Sequence, residues 1–225
     1  KNGVPARALL IAWFPAINRM GSLVPLIYNF FVSTKFFSTP VKKLAGFATE
    51  RSIPLIYKTS LKRWIRKNRE SLIPASSIGR ICLFVDEFTN YNDTETGIKA
   101  IKLFSSLGYE VITVEHGISA RTFISKGLLR KAGKIVRKNI IRFSGIISND
   151  LPLVGIEPSA LLGFRDEYPD LAGPDLKKES AELAANCFLA DEFIAREFRE
   201  GRISKDLFTD ESKELFVHTH CQQKA

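Results

Sequence analysis

The 225-residue sequence predicts an α/β chain: a parallel-sheet βαβ domain over residues 80–225, preceded by a short, basic, all-helical segment over 1–75. Three observations lead there. From Ile81 onward, short continuous apolar runs alternate with longer runs of helical period, the pattern of strands buried on both faces and crossed over by helices. Before residue 80 no alternation of period two persists, and prolines and glycines cut the apolar stretches into short helices. Charge divides at the same place: residues 1–80 carry 14 Lys and Arg against 2 Asp and Glu, and residues 81–225 carry 19 against 22.

In chain order, Ala6–Phe14 reads as a helix ended by Pro15, Leu23–Phe31 as a second ended near Ser33 and Thr34, and Val41–Phe47 as a third beyond Pro40. Leu61–Asn68 is a basic helix carrying Trp64. None of these can bury an apolar face alone, so the segment is expected to pack on the rest of the chain or on a neighbour. Ser71–Gly79 reads as a linker. Ile81–Val85 is a buried strand, Glu95–Leu107 a helix stopped at Gly108, Glu110–Val114 a second strand and Lys126–Phe143 a basic amphipathic helix. Gly145–Ser148 and Leu153–Ile156 are short apolar runs, Leu176–Phe198 reads as one long helix and Glu214–Thr219 as a last strand. Parallel sheets bind ligands at the loops beyond the carboxyl ends of their strands. Here those loops are Asp86–Asn92, Glu115–Arg121, Glu157–Ala160 and His218–Lys224.

Composition narrows the class. With 45% hydrophobic and 25% charged residues the chain has an ordinary globular profile. The most apolar stretch, Leu23–Phe37, is interrupted by Pro25, Asn29 and Lys35, short of the roughly 18 apolar residues of a spanning helix. No secretory signal pattern opens the chain. Cys82, Cys187 and Cys221 are too few and too far apart for a disulfide framework, so a reducing, cytoplasmic compartment is expected. The opening on Lys1 and the close in His218, Thr219, His220, Cys221, Gln222, Gln223, Lys224 and Ala225 suggest a piece of a longer polypeptide, cut inside a metal-binding motif.

The four loops hold most of the chemistry-bearing residues. Asp86–Asp93 has the composition of a turn and cap for the helix near Glu95. Glu115 beside His116 is a base or ligand pair with no second histidine nearby. Glu157 before Pro158 is ordinary capping chemistry. His218, His220 and Cys221 form a soft ligand set, but no partner pair spaced for zinc accompanies them. Cys82 and Cys187 sit in apolar patterns, Cys187 on the stripe of the long helix, and read as core.

From Ile81 onward the chain resembles the cysteine-rich (CCG) domain of heterodisulfide reductase subunits, anaerobic glycerol-3-phosphate dehydrogenase iron–sulfur subunits and FAD-linked D-lactate or glycolate oxidases. The matching stretches are Leu83–Asp93, Ile124–Leu128, Glu157–Leu171 and His218–Ala225. The resemblance is closest to the fused type, in which FAD and ferredoxin-like domains share one polypeptide with this one; residues 1–75 look like the connector. It implies a CCG-type half-domain truncated inside its second motif. That motif is a Cys, a Cys-Cys-Gly and a Cys-x-x-Cys, present in two copies. In the first copy here the lone cysteine falls at Glu87 (or, one register back, Asp86). The pair falls at Ile118 and Ser119, followed by Ala120 and Arg121, and the last two fall at Glu157 and Ala160. A cubane cluster needs four thiolates, so the resemblance implies a first cluster lost and a fold kept. Cys221 would open the second copy, as an incomplete iron–sulfur ligand, with His218 and His220 donating hydrogen bonds around it. Arg121, Glu157 and Arg165 are expected to form a compensating polar network.

The function so implied is scaffold or electron transfer within an FAD- and [4Fe-4S]-dependent oxidoreductase of a small 2-hydroxy acid, D-lactate or glycolate type. The other domains of the polypeptide would be its partners, with no catalytic residue in this chain and no cofactor on it alone. The alternative is a surface-binding module. Lys62–Arg69 could neutralise phosphates, with Trp64 for stacking, but no nucleic-acid-binding motif supports it and no nucleic acid is expected. Phe30, Phe31, Phe36 and Phe37 beside Lys35, Lys42 and Lys43 suit anionic lipid on the inner face of the cytoplasmic membrane, where a parent reducing quinone would work.

Overall fold

A computed structural model describes residues 3–74 and 76–224. Its centre is a four-stranded, all-parallel sheet of β1 (Gly79–Leu83), β2 (Tyr109–Ile112), β3 (Leu153–Gly155) and β4 (Cys187–Leu189), in the order β2-β1-β3-β4. Register runs from Gly79 opposite Tyr109 to Cys82 opposite Ile112, with Leu83 opposite Val154 and Val154 opposite Phe188. Before the sheet come α1 (Ala6–Ala12), α2 (Phe14–Gly21), α3 (Pro25–Ser33), α4 (Lys35–Leu44) and α5 (Leu61–Asn68). The crossovers are α6 (Glu87–Tyr91) with α7 (Thr94–Ser106), α8 (Arg121–Ile124) with α9 (Leu129–Phe143), and α10 (Pro158–Leu161), α11 (Glu167–Leu171) and α12 (Lys177–Ala185). A last helix, α13 (Ala190–Arg199), follows β4. The α/β class read from the sequence is the class observed.

Strand β1 shows why its run is continuously apolar. Cys82 and Phe84 point into a core shared with α8 to α12, built on Phe123, Val136, Phe143, Phe164 and Tyr168. Ile81, Leu83 and Val85 point to the other face, where Ile81 meets Phe104 and Phe193, and Leu83 and Val85 meet Leu61, Ile65 and Ile101. With helices on both sides, neither face of the strand tolerates a polar residue. Both free cysteines of the sheet are buried, and burial raises their thiols, Cys82 to about 11. They are inert core residues.

Several elements differ from the sequence reading. Pro15 does not end a helix; it sits in the first turn of α2, where its missing N–H has no partner to lose. Pro40 lies inside α4, on its exposed side. The long helix expected over 176–198 is broken by β4, because Cys187, Phe188 and Leu189 find a parallel ladder on β3. An apolar stripe in one dimension cannot distinguish a helix face from a short buried strand. Cys187 is therefore in a strand, though still in the core. The final strand over 214–219 is absent: Leu215, Phe216 and Val217 are exposed and no ladder forms there among the described residues.

The helical segment docks through α6. Lys62 N–H donates to Asn90 Oδ1 (3.0 Å), Tyr57 N–H to the Tyr91 carbonyl (2.7 Å), and Asn18 Nδ2 to Asn92 Oδ1 (2.6 Å). Thr122 Oγ1 donates to the Ala12 carbonyl (2.9 Å), and Trp13 packs edge-on against Phe123. Trp64 is half-buried against the Leu61 cluster. By contrast α3 and α4 leave an apolar face uncovered, with Leu26 83%, Phe36 80% and Leu44 94% exposed. No helix among the described residues is long and apolar enough to cross a membrane.

At Gly97 on α7 the helical segment packs close: a Cβ there would meet Leu61 Cδ2 and lie 2.8 Å from Thr89 Cγ2. Gly97→Ala is expected to destabilise the chain by about 2 kcal/mol, overpacking outweighing the helix propensity gained. Leu61→Ala alone is expected to cost about 3 kcal/mol. Chemical denaturation of the double variant will show a loss smaller than the sum, because the removed side chain leaves room for the added methyl; an additive result would refute that packing.

Candidate functional site at the carboxyl edge of the sheet

Where β1 ends, the chain turns into α6 with two successive buried carboxyls. Asp86 is the N-cap: its Oδ1 accepts from Phe88 N–H (2.8 Å) and Thr89 N–H (2.9 Å), and its Oδ2 from Thr89 Oγ1 (2.5 Å). The capping role read from the sequence is thus observed, but for α6 rather than for the helix near Glu95. Burial, with the adjoining Glu87 charge, pushes the Asp86 carboxyl from its ordinary 3.8 up to about 7, against the bonds it accepts. Glu87 points the other way, into the loop after β2. Its two oxygens accept from Ser119 N–H and Ser119 Oγ, each at 2.8 Å. Burial foremost, with the nearby Glu157 charge, raises this carboxyl too, while the Ser119 bonds act to lower it.

The loop carrying Ser119 is held from behind by Asn139 of α9. Asn139 Oδ1 accepts from Gly117 N–H (2.9 Å), and its Nδ2 donates to the Ile118 carbonyl (2.9 Å) and to Tyr168 Oη (3.0 Å). The Tyr168 hydroxyl in turn donates to the Ser119 carbonyl (3.1 Å). Neither residue was singled out from the sequence. The available signal was Asn139 itself, a polar residue on the buried stripe of α9 with Val136, Ile140 and Phe143. His116 is a core histidine. Its Nε2 accepts from Val85 N–H (3.2 Å), so the proton sits on Nδ1, which faces the Gly117 carbonyl at 2.6 Å. Burial, with the charges of Lys62 and Arg142, lowers it to about 3. With both nitrogens engaged it acts neither as base nor as ligand.

Ala120, next to Ser119, is the one non-glycine residue among those described with a left-handed backbone, at φ 67°, and it is fully buried. Such a position favours glycine. In the resemblance read from the sequence this is the position of a glycine, the residue type that such a backbone favours.

The remaining positions are spread along the same edge. Glu157 caps α10, accepting from Ser159 N–H (3.3 Å) and Ser159 Oγ (2.6 Å), and Ala160 is buried in the core. The expected network of Arg121, Glu157 and Arg165 takes a different form: no ion pair joins Arg121 to Glu157 among the described residues. Arg121 pairs with Glu167, and Arg165 donates to the Cys187 carbonyl and forks onto Glu192 (3.1 and 2.5 Å). The turn Cys221–Gln223 lies against α10, so the chain end returns to this edge. There Cys221 is exposed, and His220 Nδ1 accepts from Gln222 N–H (3.3 Å) within its own turn. His218 is exposed.

These residues do not fit a [4Fe-4S] cluster at the first motif. Ile118 and Ala160 have no donor atom, Ser119 Oγ is bonded to Glu87, and both Glu87 oxygens are in use. Among the described residues no three His, Cys, Asp or Glu side chains converge to hold a metal ion.

Substitutions at two positions probe this edge. Asp86 holds its proton longer when folded than when unfolded, so its contribution falls as pH rises from about 4 to about 7 and is constant above. His116, depressed when folded, acts with the opposite sign between about 3 and 6.5, so the raw profile mixes the two. Asp86→Asn removes only the first: its stability relative to the parent is expected to rise across that window by more than about 1.4 kcal/mol, the worth of one pKa unit. Parallel curves in denaturant titrations would refute the assignment. Ala120→Gly is expected to stay within about 1 kcal/mol of the parent, whereas Ala120→Val costs at least about 2 kcal/mol, a branched side chain being strained in that conformation; equal melting temperatures would contradict it.

No protein-family model matches the chain, and no solved structure is significantly similar to it. Curated proteins are similar over most of its length. The chain is 23% identical over 228 aligned positions to the D-2-hydroxyglutarate dehydrogenase of Escherichia coli K12, which covers 97% of this chain and 21% of that protein. For the protein of the same name in Haemophilus influenzae the identity is 22% over 205 positions, 87% of this chain and 20% of the relative. For that of Pseudomonas putida KT2440 it is 25% over 158 positions, 66% of this chain and 15% of the relative. The chain spans about a fifth of the length of the first of these relatives.

Proposed function

We propose that this chain is one domain of an FAD- and iron–sulfur-dependent oxidoreductase of small 2-hydroxy acids, and that it serves there as the cluster-free half of a CCG-type domain. The similarity to D-2-hydroxyglutarate dehydrogenases across 97% of the chain supports the class and makes D-2-hydroxyglutarate the first substrate to try, ahead of D-lactate and glycolate. The observation that carries the scaffold role is the pair of hydrogen bonds from Ser119 to Glu87. They satisfy both oxygens of a buried carboxyl at the position where the resembled domain has a thiolate, and a buried polar group with its partners made is a structural element.

In this reading the flavin and the intact clusters belong to other domains of the same cytoplasmic polypeptide. Those domains are the partners of this one, and the uncovered face of α3 and α4 is the surface offered to them. A cluster that begins at Cys221 would draw its other ligands from beyond this chain.

The test uses the full-length polypeptide and the isolated chain side by side. The full-length protein is expected to reduce a dye acceptor with D-2-hydroxyglutarate at a higher kcat/KM than with D-lactate or glycolate. The isolated chain is expected to bind no iron or sulfide after anaerobic reconstitution. Hydrogen exchange over residues 25–44 is expected to slow in the full-length protein. A full-length protein inactive on all three acids would refute the oxidoreductase class, and a cluster on the isolated chain would refute the cluster-free role.

A further inference from the structure

A cavity of about 770 Å³ opens where the amino-terminal helices meet the loops after β1 and β2. Its size is that of a small-molecule pocket, and it sits at the carboxyl edge of a parallel sheet, where such sheets bind ligands. The walls carry more positive than negative charge. Arg19 of α2, Lys62 and Arg66 of α5 and Lys131 of α9 all line it. Arg19 and Arg66 have no acidic partner among the described residues, and Lys131 lies 3.7 Å over the ring of Trp13. Glu87 and Ile118 also line the cavity, so the edge that resembles a cluster motif faces this space.

Two acids oppose the four cations. Glu87 is bonded on both oxygens to Ser119, and its burial favours the neutral form. Glu115 stands at the mouth, its side chain 81% exposed, with Oε1 3.7 Å from Lys62 Nζ. Lys62 is the most buried cation of the set, and that burial lowers its pKa against the effect of Glu115. Arg19, Arg66 and Lys131 are exposed and Lys62 half-buried, and a cleft with an excess of positive charge concentrates anions.

We propose that this cavity binds a small dianion, a dicarboxylate or a phosphate group, held by Lys62, Arg19 and Arg66 in competition with Glu115. The inference stands on the cavity's own charges and is independent of the oxidoreductase reading. Charge-assisted bonds from lysine and arginine are the strong ones in such a recess, and Trp13 and Ile118 supply apolar wall for a ligand's carbon chain.

Isothermal titration calorimetry of the 225-residue chain at low salt tests it, with succinate, glutarate and inorganic phosphate as probes and chloride at matched ionic strength as control. Saturable binding of a probe beyond chloride is expected. Preference for the diacids or for phosphate tells the two ligand chemistries apart. Lys62→Gln is expected to weaken binding about tenfold, as loss of one charge-assisted contact does. Glu115→Gln is expected to tighten it about threefold by removing the competing carboxylate, an opposite sign that a merely misfolded variant cannot imitate. Lys99→Gln, on the far side of α7, is expected to change nothing. Heats no larger than chloride's for every probe, or binding untouched by Lys62→Gln and Arg19→Gln, would overturn the proposal.

Discussion

A carboxylate placed at the exit of a strand that is covered on both faces has no water to turn to, and the organisation of this sheet edge follows from that constraint. Glu87 takes its two donors from Ser119. For Ser119 to present both N–H and Oγ to it, the loop after β2 must pass under α6, and Ala120 must adopt the left-handed conformation that reverses the chain into α8. Asn139 and Tyr168 then engage the free carbonyls and N–H groups of that loop. Buried polar groups are tolerated when every member has a partner, and here each link depends on the one before.

The same edge joins the helical segment to the sheet. Asn90 and Tyr91 at the end of α6, and Asn92 that caps it, each bond to the amino-terminal part of the chain. A segment with no acid-rich or self-complementary face thus becomes part of one core, with Ala12 packed among residues of α8 and α9 and Leu61 beneath β1. This docking also creates the cationic recess. Its basic residues come from α2, α5 and α9, far apart in sequence, while its floor comes from the loops after β1 and β2.

Much of this was legible in one dimension. The continuous run Ile81–Val85 signals a strand buried on both faces, since period two vanishes when neither side meets water. Spacing of apolar residues located α7 and α9, and Gly108 marked the end of the first of them. The motif resemblance directed attention to Glu87, Ser119 and Glu157, which the structure brings to one edge, with Glu87 and Ser119 in direct contact. The sequence by itself also determined the division of charge, the core role of Cys82 and Cys187 and the helical nature of the first segment, because each depends on composition or local period.

Tertiary structure decided the rest. Whether Cys187–Leu189 is helix or strand depends on a vacant ladder on β3, and whether Glu214–Thr219 is a strand depends on a partner it does not find. Arg121 pairs with Glu167, and Arg165 with Glu192, because helix packing sets which charges come within reach. Histidine 116 loses its chemistry to two backbone groups that only the folded sheet edge supplies. Local period fixes what an element is and which face it buries; hydrogen-bond partners and cavities are made between elements, and no single segment carries that information.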